Sequence, residues 1–407
     1  MEKQENRSHP PCRWGYRGAM AVIRPMLRWV FHMRVENQAT QGFEGPAVLV
    51  MNHQGLLDFL LAAAAFPQRE ISYVGSQRYF QNPRLARLLR WLGVIPKLQF
   101  YPDAGAIKNI MRRIKEGGLV GIFPAGQTSM SGVPGAVGPG IGRLCRKLKV
   151  PVLCAHINGS FLSLSRHSGT QFSRGACVVR TSVVLTPDQM AAMTDEQVFE
   201  AIRAAIDYDD YAWQQQEQAK FRGKHRAAGY ENLCYRCPRC GAECSYRTKG
   251  DRLFCESCGN EAVVEESMFL RPAKEDCRVF STLRDWYAWQ EEELRAQLEQ
   301  GPFRMEDPVE LRRLGPKGKF IPAGQGTMTL TPEAICYEGR LDGQPFRYEV
   351  PNRALPGLMG TTGSHFELHH PQQGALRFYP RDGRKVAKWK QCQEYFFSIS
   401  ENKTNLD

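Results

Sequence analysis

Val48-Leu-Val-Met-Asn52-His53-Gln-Gly-Leu-Leu-Asp58-Phe59 is the stretch on which the reading of this chain turns. The apolar run Ala47–Met51 reads as a strand, and Leu56–Phe66 as an apolar helix. Between them lies a short polar turn that carries His53. In α/β folds the junction from a strand end to a helix start is where ligands and chemistry are placed. A neutral imidazole held by a carboxylate takes a proton from an alcohol near pH 7. Asp58, five residues on, is placed to fix the tautomer and stabilise the imidazolium. A His-x4-Asp pair on its own arises often by chance, and a turn histidine bonded for structural reasons fits this tract equally well.

Three further tracts follow in order. Leu92-Gly-Val-Ile-Pro-Lys97-Leu-Gln-Phe100 precedes a helix over Asp103–Lys115. Leu119-Val-Gly-Ile-Phe-Pro-Ala125-Gly126-Gln127-Thr128-Ser-Met-Ser-Gly132 is a second buried-type strand running into a Pro/Gly/Ser loop. Val150-Pro-Val-Leu-Cys-Ala-His-Ile-Asn-Gly-Ser-Phe161 is a third strand.

This order resembles the glycerophosphate and lysophospholipid acyltransferase family, whose motifs run Asn-His-x4-Asp, Gly-x-Ile-Pro, Phe-Pro-Glu-Gly-x-Arg-Ser and a Val-Pro strand. The resemblance covers about residues 15–205. It implies His53 as base, Asp58 as its partner, and Lys97, Ala125, Gly126, Gln127 and Thr128 around the acceptor. Two departures stand out. Ala125 replaces the family's Glu, and Gln127 and Thr128 stand where an Arg is expected. Arg is suited to bidentate phosphate binding, so the acceptor pocket is expected to be weaker, or the acceptor to differ from lysophosphatidate. Lys97, the backbone N–H groups around Gly126, and the Gln127 and Thr128 side chains remain as anion donors.

The chain has 407 residues, 42% of them hydrophobic, and a net charge of +12. That is enough for two or three domains. Arg78–Glu116 holds nine basic residues against Asp103 and Glu116. This basic rim suits anionic headgroups, coenzyme A or an acidic carrier protein. Nucleic acid fits the charge alone, but no aromatic platform for bases accompanies it, and none is expected as partner. No apolar run is long enough to span a bilayer, and the polar start is unlike a secretory signal. Gly15–Arg34 mixes Met20, Val22, Ile23, Met26, Leu27, Trp29, Val30, Phe31 and Met33 with Arg17, Arg24, Arg28 and Arg34. It reads as an interfacial helix, kinked at Pro25, or as a helix packed on the core. The expected location is peripheral, on the cytoplasmic face of an anionic membrane.

A strand over Cys177–Leu185 and a capping-box helix from Thr194 to Ile206 complete this region, followed by a Gln-rich helical linker. Six of the thirteen cysteines then fall within Cys234–Cys258. Cys237-Pro-Arg-Cys240-Gly and Cys255-Glu-Ser-Cys258-Gly form two Cys-x-x-Cys-Gly turns, which together supply four thiolates for a structural zinc. Cys234 and Cys244 are spare. A helix is expected over Phe280–Gln300. Period-two alternation follows, with a turn at Leu341-Asp-Gly343 and a closing helix near Arg384–Ser398. This last region resembles a pleckstrin-homology-like domain by pattern.

The expected fold is α/β: an acyltransferase domain with a central sheet flanked by helices, a small zinc ribbon, and a C-terminal β domain closed by a helix. The expected segments are an interfacial N-terminus (1–34), the acyltransferase domain (35–207), a linker (208–233), the ribbon (234–265), a helix (280–300) and the β domain (308–400). The resemblance implies acyl transfer from acyl-coenzyme A or acyl-carrier protein to a lysophospholipid hydroxyl. The competing expectation is a catalytically weakened lipid-binding or adaptor protein that works through the ribbon and the β domain.

Overall fold

Strand β2 (Ala47–Met51) is apolar on both faces because both faces are covered. Ala47, Leu49 and Met51 join one core and Val48 and Val50 the other, all fully buried. The computed structural model describes residues 9–36, 40, 42–99, 101, 103–169, 171–315 and 318–404, with side chains to 400. Residues 1–8, Phe100 of the second tract and residues 316–317 of the expected β domain lie outside the described residues. The chain divides into two compact units, Met1–Arg166 with Thr170–Gly223, and His167–Gly169 with Lys224–Asp407.

The first unit begins with α1 (Arg13–Phe31), β1 (Arg34–Glu36), β2, α2 (Asp58–Ala65) and β3 (Ile71–Ser76). Then come α3 (Pro83–Trp91), β4 (Ile95–Lys97), α4 (Ala104–Lys115), β5 (Leu119–Ile122), α5 (Gly140–Leu148) and β6 (Val152–Asn158). The unit ends with α6 (Ser160–Leu164), β7 (Val178–Leu185), α7 (Pro187–Ala191), α8 (Asp195–Ala205) and α9 (Asp210–Glu217). Its sheet has the order β1-β7-β6-β2-β5-β3-β4. All neighbours are parallel except β6 and β7. The central strand β2 therefore lies between β5 and β6, and all three end on the same edge. The α1 and α2 helices cover one face, and residues of α4, α5 and α8 cover the other.

Sequence signals account for most boundaries. Thr194 and Gln197 form the expected capping box of α8. Asp103 caps α4 by accepting from Ala106 N at 2.9 Å. Helix α1 runs unbroken through Pro25. The segment expected to be a linker behaves differently. Residues up to Gly223 cluster with the first unit, and Tyr208, Tyr211 and Trp213 are buried there. Four glutamines between residues 214 and 218 give the stretch a polar composition, but its aromatics set its packing.

The second unit holds a four-stranded sheet, β8 (Tyr246–Lys249), β9 (Arg252–Cys255), β10 (Glu261–Val264) and β11 (Leu270–Pro272), followed by α10 (Leu283–Leu298). Next come β12 (Met305–Leu314), β13 (Phe320–Leu330), β14 (Ala334–Leu341), β15 (Gln344–Pro351), β16 (Met359–Thr361), β17 (His365–His370) and β18 (Gly374–Pro380). These form one antiparallel sheet, β15-β14-β13-β12-β18-β17-β16, which α11 (Val386–Thr404) closes through Val386, Trp389, Cys392 and Phe396. The Asp342-Gly343 turn has φ of 50° and 84°, the double left-handed geometry of a two-residue hairpin.

The packing of α5 on α8 depends on a small residue. A Cβ on Gly142 of α5 would meet Asp195 O at 2.3 Å and Phe199 N at 2.8 Å, while one on Gly140 would meet nothing within 4 Å. Gly142→Ala should therefore destabilise the unit by about 1–3 kcal/mol through overpacking. Gly140→Ala, one turn-half away, should cost nothing. Equal melting temperatures for the two variants would contradict this packing.

Candidate functional site

Three parallel strand ends meet at the site: the turn after β2 (Asn52–Gly55), the loop after β5 (Phe123–Val133) and the turn after β6 (Gly159–Phe161). The β2 turn is clamped from below. The Asn52 amide donates to Ile157 O at 2.7 Å and accepts from Ile157 N at 2.8 Å. Leu56 N donates to Leu164 O at 3.2 Å. Gly55 packs where no side chain fits, since a Cβ there would meet Ser160 Oγ at 2.4 Å and Leu164 O at 2.9 Å. With Asn52 and Gly55 held, His53 is directed outward and Asp58, the first residue of α2, inward.

The sequence-derived pair is assembled. His53 Nδ1 lies 2.8 Å from Asp58 Oδ2. Asp58 has no exposed surface, while the His53 side chain is about one-fifth open to solvent. Asp58 Oδ2 also accepts from Gln54 N at 2.6 Å and Gly55 N at 2.9 Å, and Ser160 Oγ donates to Oδ1 at 2.5 Å. A carboxylate with that donor set requires the protonated nitrogen of the neutral imidazole to be Nδ1. Nε2 is then left as the basic atom. The ring stacks on Phe123 at 4.2 Å between centroids, and Phe123 in turn stacks on Tyr73 at 6.3 Å. Tyr73 OH donates to Phe59 O at 2.7 Å, which ties this aromatic column to α2.

The loop after β5 folds onto the same histidine. Ser129 N donates to His53 O at 2.9 Å, and Ser129 Oγ organises the loop by bonding Val133 O and Gly132 N. Gly126, with φ of 69°, spends its N–H on Phe123 O at 3.0 Å, and Gln99 Nε2 donates to its carbonyl. Of the N–H groups around Gly126 that were expected to meet an anion, the Gly126 N–H is thus committed to the turn. Thr128 is buried, and its Oγ1 has no hydrogen-bond partner among the described residues. A hydroxyl in that state costs free energy until a bound group satisfies it. Ala125 lies in the turn and Gln127 follows it. Lys97 ends β4, and its Nζ donates to Leu98 O at 2.9 Å. Burial lowers its pKa, against the opposing pull of Asp103. The basic stretch divides in two. Arg84, Arg87 and Arg90 are exposed on α3, but Arg113 is buried beside Ser72 and paired with Glu116.

Sequence reasoning missed Tyr208 and Asp210. Tyr208 OH lies 3.3 Å from His53 O and 3.2 Å from Val133 O. Asp210 is fully buried and accepts from Gln54 Nε2 at 2.9 Å, Gly159 N at 3.0 Å and Phe161 N at 3.2 Å. Burial pushes its pKa up to about 7 against these donors. The signal available was Asp209, an N-cap residue ahead of Tyr211 and Trp213, which marks a packed helix rather than a linker.

In the second unit, Cys237, Cys240, Cys255 and Cys258 present sulfurs that all lie within 4.8 Å of one another. Cys237 and Cys258 are 3.8 Å apart, and Cys240 and Cys255 are 3.9 Å apart. Tetrahedral zinc with bonds of about 2.3 Å places its sulfurs roughly 3.8 Å apart, so the four residues fit such an ion. Gly241 and Gly259 have φ of 75° and 70° and close the two knuckles. Tyr246 OH donates to Cys237 Sγ at 3.4 Å, the outer-shell contact that a thiolate ligand takes. Cys234 and Cys244 stand outside the cluster.

Residues 32–158 match the model of the Acyltransferase family. A 1-acyl-sn-glycerol-3-phosphate acyltransferase of Bacillus subtilis (strain 168) is 25% identical over 119 residues, 29% of this chain and 60% of that protein. The chain thus spans about three-fifths of the length of that relative. The crystal structure of the 1-acyl-sn-glycerophosphate (LPA) acyltransferase PlsC from Thermotoga maritima aligns with a TM-score of 0.39 at 16% identity, over 50% of this chain and 82% of that one.

Proposed function

We propose that this chain is an O-acyltransferase that moves an acyl chain from a thioester to the free hydroxyl of a lysophospholipid. One observation carries the reading. A solvent-reachable histidine is held by a fully buried carboxylate at the end of β2, inside the stretch that matches the Acyltransferase model. His53 Nε2 accepts the proton of the acceptor hydroxyl as its oxygen attacks the thioester carbonyl. Asp58 stabilises the imidazolium that forms. Collapse of the tetrahedral adduct expels the thiolate, which takes that proton and leaves as the thiol. Acyl-coenzyme A or acyl-carrier protein serves as donor. The relative's name makes lysophosphatidate the default acceptor. Thr128 Oγ1, Gln127 and Lys97 are the groups proposed to receive its headgroup, and Ala125 leaves the pocket without the Glu side chain.

Purified protein should transfer label from an acyl thioester to lysophosphatidate or another member of a lysolipid panel. His53→Ala should lower the rate roughly 10²–10⁴-fold with the fold intact. Asp58→Asn should slow transfer by disordering the base. Wild-type turnover in His53→Ala removes the histidine from the reaction. Silence of the wild type with every lysolipid and both thioesters favours the adaptor reading instead.

We place the enzyme on an anionic membrane surface. The α1 sequence contains no acidic residue and has two apolar faces. Tyr16, Met20, Leu27 and Phe31 are buried, while on the opposite side Trp14 (84% exposed), Val22 (72%), Met26 and Trp29 (69%) face solvent. No helix among the described residues is long and apolar enough to cross a membrane, so an exposed stripe of this kind suits an interfacial position. Arg17 and Arg34 pair with Glu70 and Glu217, which leaves Arg24 and Arg28 as the arginines of the expected set for headgroups. The protein should sediment with phosphatidylserine-containing vesicles, less so at high salt. Trp14→Glu combined with Val22→Glu should weaken sedimentation at any salt. Unaltered binding by that variant would move the contact off α1.

We assign a structural zinc to Cys237, Cys240, Cys255 and Cys258. A closed four-thiolate set leaves no place for a reacting water, so the ion would stabilise the ribbon and take no part in acyl transfer. The seven-stranded sheet with its closing helix supports the pleckstrin-homology-like reading of the C-terminal domain. Elemental analysis should give about one zinc per chain, and Cys258→Ser should release it while sparing the first unit. Disulfides among these cysteines in freshly reduced protein would rule the site out.

A further inference from the structure

We infer that Asp210 is a positioning residue for the His53 turn, a role that rests on His53 acting as the base. It lies outside the stretch matched by the Acyltransferase model, which ends at residue 158. Its carboxylate is connected to Asp58 by two routes.

The first runs through Gln54. The Gln54 side chain donates to Asp210 Oδ1 at 2.9 Å, and the Gln54 backbone N–H donates to Asp58 Oδ2 at 2.6 Å. The other side-chain atom, Oε1, is buried without a partner among the described residues. The bond to Asp210 therefore sets the orientation of this amide group. The residue beside the base is gripped at both ends by carboxylates.

The second route runs through Ser160. Asp210 accepts from Gly159 N at 3.0 Å and Phe161 N at 3.2 Å, on either side of the serine whose hydroxyl donates to Asp58 Oδ1. Gly159 has φ of 80°, and a Cβ there would meet Ala176 O at 2.1 Å, so the turn has no slack of its own. The Asp210 backbone adds a third tie, since its N–H donates to Gly132 O at 3.0 Å, in the loop that covers His53. All three strand-end segments of the site are bonded to this one residue.

A second buried carboxylate is a costly way to fill space. Burial opposes its ionisation and pushes its pKa up to about 7. Packing alone would be served by an apolar side chain. A carboxylate that draws three N–H groups from two strand ends to one point is what fixing a geometry requires.

The test uses full-length Asp210→Asn, Gln54→Ala and the double variant. Two readouts are taken: steady-state acyl transfer, and the ¹H–¹⁵N signals of the His53 ring by NMR. Each single change should lower kcat roughly tenfold, the loss expected for one charge-assisted hydrogen bond that sets a catalytic geometry, with acceptor KM nearly unchanged. The double variant should be no worse than the poorer single one, because both changes cut the same link. The Nδ1–H signal of His53 should shift or broaden in both single variants. Multiplying losses, or an unaltered kcat in both, would overturn the positioning role, as would unaltered ring signals. If Asp210→Asn does not fold, Gln54→Ala decides, since it leaves the bonds to Gly159 and Phe161 in place. If the wild type transfers no acyl group, the enzyme reading falls. The NMR readout then decides separately whether Asp210 orients His53.

Discussion

A carboxylate with no exposed surface has to have its charge met by donors, and Asp58 has four: the His53 ring, the Gln54 and Gly55 amides, and the Ser160 hydroxyl. Those donors come from the β2 turn and the β6 turn, so the side chain that holds the imidazole also joins two strand ends. The rest of the site follows from satisfying this one charge. Gly55 has to be glycine because Ser160 approaches so closely. Asn52 has to bridge to Ile157 to keep the turns level. The β5 loop is then free to close over the His53 carbonyl. Breaking a network of this kind at one member leaves the others buried and unpaired, which costs more than the pair itself contributes.

Much of this was legible in the sequence because the signals are local. The strand Ala47–Met51 carries its own burial pattern, and the five-residue spacing from His53 to Asp58 lets the first residue of a helix reach back to the turn. The Thr194 capping box, the Asp-Gly hairpin and the two cysteine knuckles are equally local, and each stands where it was expected. The misses depend on long-range contacts. Asp210 is 156 residues from Gln54, and composition alone gives its segment the character of a linker. The partners of Arg17 and Arg34 lie 53 and 183 residues away, so a stripe of arginines that reads as headgroup-binding is half spent on internal ion pairs. Gly126 shows the same limit on a smaller scale. Its residue type signals an accessible backbone N–H, but the turn geometry that requires glycine there also consumes that N–H.

The departures at Ala125, Gln127 and Thr128 change the balance of forces in the proposed acceptor pocket without touching His53 or Asp58. A bidentate Arg would contribute both charge and direction to phosphate binding. Nearby are a buried Thr128 hydroxyl with no partner among the described residues and Lys97, whose pKa burial lowers against the pull of Asp103. Neither offers the planar two-point donor set of an Arg to a phosphate. On this reading the chemistry assigned to His53 is unchanged, and substrate choice is made in the β5 loop.

Direct transfer requires the acceptor hydroxyl, and no residue of the protein, to attack the thioester. Ser160, the hydroxyl nearest the pair, donates to Asp58 and is buried, so it is bonded to the acid and not to the base. The most direct measurement is release of free thiol from a labelled acyl thioester in a single turnover, with and without lysolipid, followed by intact mass of the protein. Thiol should appear only when acceptor is present, matched mole for mole by acylated lipid, and the protein mass should stay unchanged. A burst of thiol without acceptor, accompanied by an acyl adduct on the protein, would contradict direct transfer by the His53–Asp58 pair.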